Sequence, residues 1–158
     1  MDVTAWIASE LLDLRQRTAR GIVGAVPSER WHERRVDGVP LVAVAWHTAR
    51  HHDVAVNRIV CGEDEVLDAW ADRVGIAHDT WRGLAEAEDL SLTATLDAAG
   101  VAGYLLDVLD HSIARLERGG VLAFDVVPDA VVERTMAWLP PGVRIVVQFM
   151  RLTPATWT

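Results

Sequence analysis

Residues 40–61 read PLVAVAWHTARHHDVAVNRIVC, and this stretch decides the fold. A proline begins it and Gly62 follows it, which is typical of the start and end of a helix of about 20 residues. At 100° per residue, His47 falls on one face and a row of small apolar side chains on the other. The His47 face also carries Val44, His51, Val54 and Arg58, and the opposite face carries Val42, Ala45, Ala49, Val56, Ile59 and Val60. The pattern predicts a central helix in which His47 needs a partner, because a buried imidazole without one is costly.

Three further segments have the apolar spacing of amphipathic helices, at 2–24, 63–74 and 95–118. Their stripes are Trp6, Ile7, Leu11, Leu14 and Ile22 in the first, Val66, Leu67, Trp70 and Val74 in the second, and Val101, Leu105, Val108, Leu109, Ile113 and Leu116 in the third. We expect Thr95 to cap the last helix, with Asp97 in its first turn. A connection at 76–93 either covers a site or simply packs on the surface. A short helix at 129–139 and an irregular tail at 140–158 complete a single all-α domain over 1–158.

Composition excludes several classes of function. The chain has 158 residues and a formal net charge of −8, so it offers no basic surface for nucleic acid. Its one cysteine, Cys61, cannot form an internal disulfide and suits a reducing cytoplasm. The longest apolar run, 39–46, is far short of the ~20 residues that a membrane span needs. Acidic residues at Asp2 and Glu10 do not fit a secretory leader. We therefore expect a cytoplasmic protein with no nucleic-acid or membrane partner.

The central stretch also carries a family resemblance. Residues 45–53, AWHTARHHD, followed by Ala55, Val56 and Asn57, resemble the second helix of the DinB/YfiT-like superfamily. That superfamily includes the mycothiol-dependent maleylpyruvate isomerases, whose pattern there is Trp-His, then Arg, Asp and Asn. The resemblance continues in order through GEDEVL at 62–67, WA at 70–71, LAE at 84–86 and YL at 104–105. It implies a DinB-like up-and-down helical bundle.

The resemblance also implies a divalent metal ion, Zn or Ni. In the superfamily, one ligand is a His of the second helix and two more lie one turn apart on the last helix. His47 matches the first ligand. Residues 144–158 contain no His, Asp or Glu. We therefore expect the C-terminal ligand pair to be missing and the fourth helix of the bundle to be shortened or absent.

Two other histidines are candidates to complete the site. His51 lies four residues after His47, the spacing found in metalloprotease helices, although zinc takes three or four protein ligands. His111, supported by Asp107 one turn earlier, could supply an imidazole from a facing helix, and Glu133 could reach inward. The apolar stripe of that helix nevertheless favours an outward, solvated His111. Asp53 is expected to pair with Arg50, Asn57 or another Arg rather than to bind metal.

Two functions follow as alternatives. By resemblance the chain is a metal-dependent isomerase or transferase that uses mycothiol or another low-molecular-weight thiol, whose pKa the metal lowers. Alternatively it is a non-catalytic small-molecule-binding or dimeric protein that kept the fold and lost the ligands. A bundle without its fourth helix exposes an apolar groove, so we expect the tail or a second subunit, forming a homodimer, to fill it. No nucleophile motif is present, and Cys61 has no basic neighbour in sequence.

Overall fold

The computed structural model describes residues 3–34, 38–76 and 92–118, together with Glu133 and Ala137. The ranges 3–34, 38–76 and 92–118 contain four α-helices, in the order α1 (Val3–Thr18), α2 (Leu41–Asp53), α3 (Leu67–Val74) and α4 (Ala98–Glu117). π-helical segments extend α1 over Ala19–Val23 and α2 over Val54–Cys61, and 3-10 turns occupy Ser28–Arg30 and Leu92–Thr95. The described residues include no β-strand. The prediction of an all-α chain is confirmed for them.

Among the described helices, α4 has the most neighbours, because it packs against α1, α2 and α3. The core lies between α2, α3 and α4, where the Trp46 and Tyr104 rings meet at a centroid distance of 5.9 Å. Two glycines of α4 allow close approach to α3, because a Cβ on Gly100 would strike the Arg73 backbone and one on Gly103 would strike the Trp70 ring. The stripe predicted for α4 is buried except at Leu116, which is half-buried.

The helix ends differ from the sequence prediction at two points. The cap of α4 is Asp97, whose Oδ1 accepts a hydrogen bond from the Gly100 amide at 2.6 Å, while Thr95 ends the preceding 3-10 turn. Asp97 therefore takes the place predicted for Thr95, since its carboxylate satisfies a free amide of the first turn. Helix α3 begins at Leu67 rather than at residue 63. Its C-terminal end is as predicted, with Gly75 in the left-handed region at φ 83°.

Burial along α2 and its π-helical extension differs from the predicted faces at two residues. A straight α-helix would place Val54 beside His47 and Val56 on the buried face. In the structure Val54 is fully buried, and Val56 is only half-buried. Arg50, Asp53 and Asn57 are buried as well, so the buried face of the helix lies along this row, next to Val54. The predicted faces are therefore right for Val42, Ala45 and Ala49, which are buried, and wrong for Val54 and Val56.

Helix α1 is more exposed than its predicted apolar stripe. Trp6 is 50% exposed and Leu14 is 44% exposed, whereas Ile7, Leu11 and Ile22 are half-buried. Within the described residues α1 packs on α4, so only a narrow strip of its surface is covered. The prediction that Trp6 and Leu14 share this strip is wrong.

Several predicted elements lie largely outside the described residues. They are the connection at 76–93, the short helix at 129–139 and the tail at 140–158. Within the second of these, Glu133 and Ala137 are helical and exposed. None of the helices in the described part combines the length and apolar content that a membrane span requires.

Candidate functional site

The two histidines of α2 form a stacked pair. His47 and His51 are both half-buried, and their ring centroids lie 4.1 Å apart with an angle of 30° between the planes. Residues four apart are neighbours on a helix surface, so the pairing follows directly from the spacing. A neutral imidazole carries one nitrogen with a lone pair, which is the ligand that Zn and Ni accept from histidine.

The pair alone does not make a complete metal site. The described residues contain no group of three or more His, Cys, Asp or Glu side chains that could hold an ion. A protein zinc site takes three or four such ligands, so His47 and His51 fit as two of them. At least one ligand position of such a site is therefore left to be filled.

His111 is not brought together with this pair. Its Nδ1 donates to the backbone carbonyl of Asp107 at 3.0 Å and lies 3.4 Å from Oδ1 of the same residue, and the side chain is 55% exposed. Asp107 is also engaged through Oδ2, which accepts from Nε1 of Trp70 at 2.7 Å. The outward orientation predicted for His111 is confirmed. Glu133, the third proposed addition, is exposed.

A buried network contains Arg50, Asp53 and Asn57, the other polar residues of the stretch at 45–57 that resembles the superfamily. Asp53 is its centre and is fully buried. Its Oδ1 accepts from Asn57 Nδ2 at 2.7 Å and from the Val66 amide at 3.0 Å. Its Oδ2 accepts from the Tyr104 hydroxyl at 2.7 Å and from the Leu67 amide at 3.0 Å. Asp53 thus satisfies the first amides of α3 from a different helix, which explains where α3 begins.

A second carboxylate completes the network. Glu65 is buried, and its Oε2 lies 2.9 Å from Nη1 of the fully buried Arg50. Its Oε1 lies 3.3 Å from Nη1 of the partly exposed Arg58. Nη1 of Arg50 also lies 3.8 Å from Oδ2 of Asp53. Two guanidinium groups and two carboxylates therefore balance in charge, as buried ions require.

Protonation states in the network follow from this arrangement. Burial, reinforced by the adjacent Asp53 charge, raises the pKa of Tyr104 far above its usual value, so its hydroxyl remains a donor. Burial alone would lower the pKa of Arg50, but the facing Tyr104 and Glu65 raise it by more, and the guanidinium stays charged. The predicted pairing of Asp53 with Arg50 and Asn57 is confirmed. The roles of Glu65 and Tyr104 were missed, because neither is spaced with Asp53 along one helix.

A separate cavity of about 240 Å³ lies between α1, the π segment of α2 and α4. Its lining consists of Ile7, Leu11, His52, Val56, Val60, Cys61, Ser112, Arg115 and Leu116. Nε2 of His52 is 2.8 Å from Oγ of Ser112, and burial lowers the pKa of His52 despite the opposing charge of Asp53. We call this space the α1–α4 cavity.

Cys61 has a basic neighbour that the sequence did not reveal. Arg115 of α4 lines the same cavity as Cys61 and forms an ion pair with Glu63. The pKa of Arg115 is raised by Glu63 first, and the pKa of Glu63 is lowered by Arg115. The expectation that Cys61 lacks a basic partner holds only along the sequence, since the partner comes from another helix.

Comparisons of the chain with known protein families, with curated proteins and with solved structures find no match. The resemblance carried by residues 45–57 therefore stays a prediction.

Proposed function

We propose that the chain is a DinB-like helical protein in which His47 and His51 bind a divalent metal ion, zinc or nickel. The observation that carries the proposal is the stacked pair, with ring centroids 4.1 Å apart on one face of α2. The proposed class is related to the metal-dependent isomerases and transferases that use mycothiol or another low-molecular-weight thiol.

The polar residues of the stretch at 45–57 have two different roles, and this difference supports the proposal. Arg50, Asp53 and Asn57 are buried and are engaged with one another or with residues that hold α3 and α4 in place. These three residues therefore serve to hold the helices together, and no ligand is needed to explain their burial. His47 is outside that network and is half-buried, so it remains accessible to a ligand. A metal bound there would supply Lewis acidity that lowers the pKa of a coordinated thiol. The chain's own contribution is a rigid α2, fixed by the buried network, that presents both rings together.

Zinc titration of untagged protein tests the proposal. Isothermal calorimetry on the wild type should detect a 1:1 site. His47→Ala and His51→Ala should each weaken binding by at least about tenfold, a loss that even substitutions outside the coordination shell cause at metal sites. His111→Ala is the matched control, because its ring is exposed and hydrogen-bonded to its own helix. It should leave the affinity unchanged.

Two results would refute the metal proposal. One is a wild type that takes up no zinc or nickel at micromolar concentration. The other is equal binding by wild type and by both variants of the pair, which would place the ion elsewhere.

The alternative function, non-catalytic small-molecule binding, has an observation of its own in the α1–α4 cavity. This cavity involves neither histidine of the stacked pair. We therefore keep small-molecule binding as the second candidate function. The homodimer expected from the sequence stays a prediction, which sedimentation velocity at micromolar concentration tests.

A further inference from the structure

We propose that the α1–α4 cavity is a binding site for a small, neutral, single-ring aromatic molecule. The inference rests on the second candidate function, small-molecule binding, and is independent of any metal at His47. Three properties of the cavity lead to this proposal. They are its volume, the chemistry of its walls, and the hydrogen bonds and ion pair that its polar side chains already make within the protein.

The volume suits one ring. At about 240 Å³, the cavity is larger than an apolar cavity of about 150 Å³, a size known to stay dry and bind benzene. A benzene ring with one or two small substituents therefore fits without displacing a helix. Five of the lining side chains are purely hydrocarbon, and they come from three different helices, so the ring would be enclosed on several sides. They are Ile7, Leu11, Val56, Val60 and Leu116.

The polar atoms at the wall are already engaged. Ser112 Oγ donates to the Val108 carbonyl at 3.1 Å, so it accepts the hydrogen of His52 Nε2. A ligand without polar groups therefore leaves both of these hydrogen bonds intact. Such a ligand gains from burial against the hydrocarbon walls.

The ion pair at the wall argues for a neutral ligand. The guanidinium of Arg115 is held by Glu63. A ligand carboxylate would have to displace Glu63 and lose its own hydration inside apolar walls. A charged acid is therefore excluded more strongly than a hydrocarbon of the same shape.

The chain contains its own reporter for this cavity. Cys61 is the sole cysteine and is half-buried at the cavity wall, so its alkylation by N-ethylmaleimide reports on this place alone. The rate is measured with toluene and with benzoate, which share a ring but differ in charge. Toluene should slow the alkylation several-fold at saturation, and benzoate should not. No effect of toluene, or greater protection by benzoate, would overturn the proposal.

A filled cavity provides the second arm. Leu116→Trp places an indole in the cavity, and Glu117→Trp places the same group on the exposed neighbouring position. Toluene should no longer change the alkylation rate of the Leu116 variant, and it should still protect the Glu117 variant. Equal protection of both would show that toluene binds elsewhere and would refute the assignment. If circular dichroism shows the Leu116 variant unfolded, the wild-type comparison of toluene with benzoate decides alone.

Discussion

Replacing Asp53 by Asn tests whether one carboxylate organises α2, α3 and α4. The change keeps the shape and removes one acceptor oxygen together with the negative charge. In the native structure both oxygens are used, and each accepts two hydrogen bonds of 2.7–3.0 Å. An amide would retain one oxygen and turn an NH₂ group towards two of the donors. Arg50 would also lose one of its two buried counter-charges.

The magnitude follows from these contacts. Two donors left without an acceptor in a fully buried site cost about 1–3 kcal/mol each. Breaking a buried charged group out of its network typically costs about 3–5 kcal/mol. The two figures describe the same loss, so we expect Asp53→Asn to lower the free energy of unfolding by about 3–5 kcal/mol. With a urea m-value of about 2 kcal/mol/M, the midpoint of unfolding falls by about 2 M.

The assay is urea unfolding followed by circular dichroism and by tryptophan fluorescence. Asp13→Asn is the matched control, because Asp13 pairs with Arg17 four residues later at 2.8 Å on an exposed surface. That variant should stay within about 0.5 kcal/mol of the wild type, as exposed ion pairs do. If Asp53→Asn also stays within about 1 kcal/mol, a resolution limit set by extrapolation, the network does not organise the fold as argued.

Three further predictions use the same unfolding assay. Tyr104→Phe removes the hydroxyl that donates to Asp53 at 2.7 Å and should cost about 1–3 kcal/mol; an unchanged midpoint would contradict it. Burial lowers the pKa of His52 in the folded state, so the unfolded chain binds the proton more tightly. The free energy of unfolding is therefore at its full value above pH 6.5, the ordinary pKa of histidine, and falls as the pH drops below it. His52→Gln should reduce this acid loss and His111→Gln should not, as unfolding midpoints at pH 7.5 and 5.5 would show. Gly100→Ala should destabilise by about 1–3 kcal/mol because its Cβ meets the Arg73 backbone, whereas Gly21→Ala, with open space around it, should not; equal midpoints for the two variants would refute the close-packing argument.

The spacing of apolar residues along the sequence was enough to locate the described helices. The stripe of α4 and the burial of Val66, Leu67 and Val74 follow from a 3.6-residue period. Gly75 ends α3 where its freedom at positive φ is needed. The exact cap of α4 was not predictable in this way. Thr95 and Asp97 are both acceptable capping residues, and the 3-10 turn that excludes Thr95 depends on packing.

The candidate sites were harder, because their partners come together only in three dimensions. The pairing of His47 with His51 is readable from a spacing of four. Tyr104 reaches Asp53 across 51 residues, and Arg115 reaches Glu63 across 52. No periodicity encodes such contacts. The order of Trp, His, Arg, Asp and Asn along residues 46–57 was a signal that these positions matter. It did not distinguish the residues that are buried in the core from His47, which is half-buried.

The position of Asp53 has a consequence for how the chain acquires its structure. Helix α3 has eight residues, too few to persist alone in water, and its first amides depend on a carboxylate in α2. A peptide cut from the chain that contains α3 without Asp53 should therefore be a random coil, and adding a peptide of α2 would be needed to restore it. In the intact protein, the amide hydrogens of Val66 and Leu67 should exchange with solvent only when α2 and α3 separate. Their exchange rates thus measure the cooperativity between the two helices, residue by residue, without any substitution.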